Sequence, residues 1–123
     1  MSAVFLTSDL MISSTVTGAA DRADVELRVV GSADAAIAKC QSSDSGVPAS
    51  VNLVIVDLSL PGLRLEELVE AIEAGSATRP KIVAFGPHVH ALRLDAARQA
   101  GCDEVMSRGQ FHTAAEDVLK RFG

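Results

Sequence analysis

Two aspartates follow apolar runs in matching places: Asp57 closes Leu53-Val54-Ile55-Val56, and Asp9 comes soon after Ala3-Val4-Phe5-Leu6. A short aliphatic run reads as a strand buried on both faces, and the end of such a strand is where open α/β sheets gather ligands. Ser59-Leu60-Pro61-Gly62 comes next, and Pro with Gly turns the chain out of the strand. Two acids on one sheet edge outline a small site for a metal ion or a phosphoryl group, with carboxylate as oxygen ligand or nucleophile. Plainer uses stand beside this one. Asp57 can serve as a turn residue capping the strand exit, and Asp9 as the N-cap of a following helix, a use compatible with metal binding.

Other chemistry-bearing residues are sparser. His88 and His90 have HxH spacing, but the sequence supplies no third ligand, and a polar loop explains them more simply. His112 falls near the start of the last helical stretch. No GxGxxG follows a strand, and no hydrolase elbow is present.

Positioning Asp9 and Asp57 requires strands alternating with helices. Strand-like runs occur near 3–8, 25–30, 52–57, 81–86 and 103–107, and helical stretches near 10–22, 33–43, 64–74, 90–100 and 112–122. Strict βα alternation predicts a parallel sheet with helices on both faces, because parallel strands need crossover connections. In the third helix Leu65, Leu68, Val69 and Ile72 form one stripe, and Gly75 supplies its stop. The fourth points Leu92, Ala96 and Ala100 inward by the same reasoning, with Gly101 after its end. Ser13-Ser14-Thr15-Val16-Thr17-Gly18 is poor in helix formers, so only the alternation makes the first stretch helical. The Ser-rich segment Ser42 to Ser50 is expected to be a long loop.

Composition narrows the function. The 123 residues suit one domain, 1–123, and no linker leads to an output domain. A net charge of -5, four Phe and no Trp or Tyr argue against nucleic-acid binding, which needs cationic surface and stacking rings. No apolar stretch is long enough to span a membrane, and Met1 leads into a strand without a secretory leader. Cys40 and Cys102 are far apart and read as packed thiols of a reducing cytoplasm.

Together these residues resemble the receiver domain of two-component response regulators over nearly the whole chain. Leu53 through Gly62 looks like the segment carrying the phosphorylated aspartate. Ala100-Gly101-Cys102-Asp103-Glu104-Val105 is similar to the stretch entering the family's fifth strand, and Phe5-Leu6-Thr7-Ser8-Asp9 sits where the family has two adjacent acids. The resemblance implies a flavodoxin-like fold, five parallel strands in order 2-1-3-4-5 flanked by five helices.

Carried over residue by residue, the family's machinery is incomplete here. The phosphoacceptor maps to Asp57. Of the acid pair, the metal-contacting member maps to Asp9 and the other to Ser8, so one charge is missing. The resemblance implies a Mg²⁺ site of Asp9, Asp57 and the Ser59 backbone carbonyl, weakened by that loss. The phosphate-sensing hydroxyl should fall at Phe85 or Gly86, neither of which has one. The family lysine becomes Arg108, a longer planar fork, followed by Gly109 instead of proline, and the aromatic switch becomes Val105. Arg108 is either a surface base or a salt-bridge partner for Asp57 or Asp9.

The expected function is a stand-alone receiver-like signalling module rather than an enzyme, acting by protein docking in a two-component phosphorelay, with Asp57 phosphorylation weak or absent. The resemblance puts the docking face on residues 88–122, where Arg93, Arg98, Arg108, Lys120 and Arg121 add positive charge. A histidine kinase, a phosphotransfer protein or a separate output protein would dock there, in the cytoplasm, without membrane or nucleic acid. Two alternatives remain: a fully functional Mg²⁺-dependent phosphoacceptor, and a small flavodoxin-like ligand-binding protein or enzyme using the Asp9/Asp57 edge with His88.

Overall fold

The computed structural model describes residues 2–41, 51–75, 79–87, 89 and 91–123. The Ser42 to Ser50 segment, His88 and His90 lie outside the described residues. Strands β1 (Ser2–Leu6), β2 (Glu26–Val30), β3 (Leu53–Asp57), β4 (Lys81–Gly86) and β5 (Glu104–Ser107) alternate with helices α1 (Leu10–Ala23), α2 (Ala33–Gln41), α3 (Leu65–Gly75), α4 (Ala91–Gln99) and α5 (Arg108–Phe122). All neighbouring strands pair in parallel, in the order β2-β1-β3-β4-β5. This is the flavodoxin-like order that the resemblance implied.

The aliphatic run of β3 fills the middle of the sheet because every one of its residues is buried, Asp57 included. Side chains of β1, β3 and β4 alternate between two cores. On one face Phe5, Ile55 and Phe85 meet α1 and α5; on the other Val54, Val56, Ile82 and Ala84 meet α2, α3 and α4. Phe85 stacks on Phe111 of α5 at 4.3 Å, and Phe5 is tilted against both rings. Three of the four Phe residues thus pin α5 to the central strands.

The poorly written α1 does form. Asp9 caps it, accepting from the amides of Met11 and Ile12, and Ile12, Val16, Ala19 and Ala20 give it one buried face. Tertiary burial of that face outweighs weak propensity. Its exposed hydroxyls fold back on the helix, Thr15 to the Met11 carbonyl and Thr17 to that of Ser13.

Helix α4 differs from expectation. It buries Leu94 and Ala97, while Leu92 is 85% exposed and Ala96 also faces solvent. Two leucines two residues apart cannot share one face of a helix, and in nine residues the pattern did not say which was inside. Helix α5 begins four residues earlier than expected. Ser107 accepts from the Gln110 amide while the Gln110 side chain accepts from the Ser107 amide, a reciprocal cap that starts the helix at Arg108. Cys40 and Cys102 are free thiols, both raised to about 11, chiefly by burial.

At the amino edge Arg79 ties three segments together, donating to Glu73 at 2.7 Å, to Asp103 at 2.8 Å and to the Gly101 carbonyl at 2.7 Å. Asp103 also accepts from the Ile82 amide at 2.8 Å. Burial pushes the Asp103 pKa up, but the Ile82 amide and Arg79 outweigh it and hold the carboxyl below its ordinary value. A depressed folded value means the stabilisation is present above the unfolded value near about 4 and vanishes as pH falls through the folded one. Asp103→Asn should therefore lower stability modestly, by about 0.5–1 kcal/mol at neutral pH, since solvent screens the pair. Urea unfolding of the two proteins checks this, with the gap in midpoint closing in acid.

Candidate functional site

The carboxyl edge of the sheet holds Asp57 in an internal cage. Register sets this up: Leu6 pairs with Val56, so the next residue on the first chain, Thr7, arrives beside Asp57. Thr7 is 4% exposed and Asp57 2%. The Thr7 hydroxyl donates to Asp57 Oδ2 at 2.7 Å. The Ser59 hydroxyl and amide both donate to Oδ1, at 2.6 and 3.0 Å. Both oxygens of the buried carboxylate are thus satisfied by protein donors, as a buried charge requires.

Thr7 does more than cap Asp57. Its amide donates to the Val30 carbonyl at 3.0 Å, and its Oγ1 accepts from the Asp9 amide at 3.1 Å. One residue therefore joins the ends of β1, β2 and β3 to the start of α1. Sequence reading passed over Thr7 for the acid two places on. The available signal was strand register: a hydroxyl one step beyond a buried run must face the neighbouring strand's end.

Asp9 lies at the same edge with different partners. Its Oδ1 accepts from the Met11 amide at 2.9 Å and the Ile12 amide at 3.3 Å, and its Oδ2 is paired with Arg108. The Arg108 guanidinium, followed by the Ile12 amide, holds the Asp9 carboxyl below the usual carboxylate range. Of the two partners open to Arg108, it is therefore Asp9 that it meets. A cation in the first turn of α5 opposes the positive helix end, and the Asp9 carboxylate offsets it. The pair ties α5 to α1.

The remaining sequence-singled positions fall as follows. Ser8 is exposed. Gly86 ends β4 without a hydroxyl, and a Cβ there would lie 3.2 Å from Leu58 Cβ. Phe85 points into the α1/α5 core. Val105 packs against the opposite core beside α4. Gly109 and His112 are exposed in the early part of α5.

The donor set fits a resident Mg²⁺ poorly. Asp57 already accepts three hydrogen bonds, and Asp9 is engaged by two amides and a guanidinium. No group of three or more His, Cys, Asp or Glu side chains suited to a metal occurs among the described residues. A divalent ion would have to compete with N–H and O–H donors for these oxygens and approach a cation, while keeping most of its own water.

On the 88–122 face most positive charge is spent internally. Arg98 pairs with Asp95 at 2.8 Å, Lys120 with Glu116 at 3.2 Å, Arg121 with Asp117 at 3.9 Å, and Arg108 with Asp9. Arg93 has no carboxylate partner among the described residues; it donates to the Leu58 carbonyl at 3.4 Å.

Comparison of whole structures places this architecture. A response regulator of red-light signalling in R. palustris is 16% identical and superposes with a TM-score of 0.76, covering 95% of this chain and 90% of that one. The receiver domain of a sensor histidine kinase from Pseudomonas aeruginosa, with magnesium coordinated in its active-site cleft, is 15% identical with a TM-score of 0.76 over 98% of this chain and 95% of that one. A chemotaxis response regulator of Vibrio cholerae is 15% identical with a TM-score of 0.75, covering 98% and 96%. No family model and no curated protein sequence matches the chain. At such identities the likeness establishes the fold, and the fold is that of receiver domains.

Two outcomes test the site. Thr7→Val keeps shape but leaves Asp57 Oδ2 without its donor, and should cost about 1–3 kcal/mol in urea unfolding. Arg108→Ala should move the Asp9 carboxyl titration, followed by carbon-13 NMR, upward toward its ordinary value; an unmoved titration would break the assignment of the pair.

Proposed function

We propose that this chain, folded as receiver domains are, is a signalling module that works by docking to a partner protein, with phosphorylation of Asp57 weak or absent. The observation carrying this reading is the occupancy of Asp57: Thr7 and Ser59 satisfy both of its oxygens, and Arg108 is committed to Asp9. A carboxylate nucleophile needs a free oxygen, a cation to neutralise the incoming charge and a donor for the phosphoryl oxygens. Here each oxygen already accepts from the protein, the nearby base is paired, and the end of β4 carries no hydroxyl.

Docking is assigned to α4, β5 and α5, about residues 88–122, with a histidine kinase, phosphotransfer protein or separate output protein as partner. Internal pairing of Arg98, Lys120 and Arg121 makes Arg93 the strongest candidate among the described cations for a charged contact across that interface. A cytoplasmic location suits such a partner; no described helix is long and apolar enough to cross a membrane.

Acetyl phosphate with Mg²⁺, followed by intact mass, tests the reading. The expected result is little or no adduct of about 80 Da, with the parent and Asp57→Asn indistinguishable. A stable adduct in the parent that disappears in Asp57→Asn would instead establish a working, Mg²⁺-dependent phosphoacceptor.

A further inference from the structure

A groove of about 780 Å³ lies between the loop that leaves β3 and helix α4. That size is within the range of small-ligand sites. Leu58, Leu60, Pro61 and Leu63 supply an aliphatic floor and wall, and Arg93 and Ala96, one helical turn apart, form the α4 wall. Glu66 and Glu67 stand on the α3 side, where Glu67 is paired with Arg64 at 3.5 Å. The two walls thus differ: the α3 side carries carboxylates, and the α4 side carries a guanidinium with no carboxylate partner among the described residues.

We infer that this groove binds a small amphiphilic acid, its apolar body against the leucines and its carboxylate on Arg93. The guanidinium fork matches a carboxylate in a bidentate, charge-assisted contact, and among the described residues Arg93 makes a long bond, 3.4 Å, to the Leu58 carbonyl. Apolar surface of the floor is removed from water by the ligand's tail. The groove adjoins Asp57. Ser59 lines the groove and donates its amide and hydroxyl to Asp57, so a ligand there is felt at the caged carboxylate.

Octanoate is the probe, added to the nitrogen-15-labelled full chain while backbone amide shifts are followed. Saturable shifts are expected across Ser59 to Leu65 and at Arg93 and Ala96, with a smaller one at Asp57. Acetate and octanol, which carry the head or the tail alone, should give none that saturate over the same range. Arg93→Gln should weaken octanoate binding about tenfold or more. Ala96→Glu, which adds a carboxylate to the same wall, should abolish it, and Arg98→Gln should leave it unchanged. The inference is overturned by octanol matching octanoate, by Arg93→Gln binding as tightly as the parent, or by the absence of saturable shifts. Because no phosphodonor is present, failure here is independent of the acetyl phosphate result.

Discussion

A carboxylate nearly sealed from water at the end of a central strand has to find its hydrogen bonds inside the protein, and the functional edge of this molecule is organised around that need. Asp57 draws one hydroxyl from the neighbouring strand and a hydroxyl and an amide from the turn that follows it. The turn is held in turn: the Leu58 amide donates to the Phe85 carbonyl at 2.8 Å, and the Leu60 amide to the Asp57 carbonyl at 3.2 Å. Gly62, with a φ of 72°, takes the left-handed step that brings the chain round to α3. Loss of any one donor leaves a buried charge short of a partner, which costs more than the bond itself contributed.

Charge near this edge is arranged on the same principle. The amino ends of α1 and α5 both point at the carboxyl side of the sheet, and each carries a partial positive charge. Asp9 suits the end of α1. Arg108 alone would sit badly at the end of α5, and pairing the two turns a repulsive arrangement into a link between helices. Farther along, Glu116 of α5 engages both Arg22 of α1 and Lys120, so the helices are joined at a second level by charge. Between these levels the Phe85–Phe111 stack and Val16, Ala19 and Ala115 fill the interface with apolar surface.

Much of the architecture was legible from the chain because buried parallel strands leave unmistakable aliphatic runs. Val54-Ile55-Val56 and Ile82-Val83-Ala84 admit few other readings, and Leu68, Val69 and Ile72 of α3 face the core as their spacing required. The site was only half legible. Asp57 was identified from its place at the end of a run, and a bond from Arg108 to one of two acids was foreseen as one of two readings. Thr7 was missed because threonine after a strand is common, and its meaning depends on which residue stands opposite. The start of α5 lies four residues before the expected one because Ser107 and Gln110 cap the helix, a local signal that the alternation of elements does not contain. Leu92 and Leu94 could not be told apart without the tertiary contacts that choose between faces.

The close approach at Gly86 also bears on what the end of β4 can carry. A side chain at that position would press on Leu58, whose own backbone amide is fixed to the Phe85 carbonyl. A hydroxyl-bearing side chain there would therefore need Leu58 to give by a few tenths of an ångström, against the hold of that amide. Close packing of this kind makes a bare end of β4 the arrangement that the Leu58 side chain accommodates without moving.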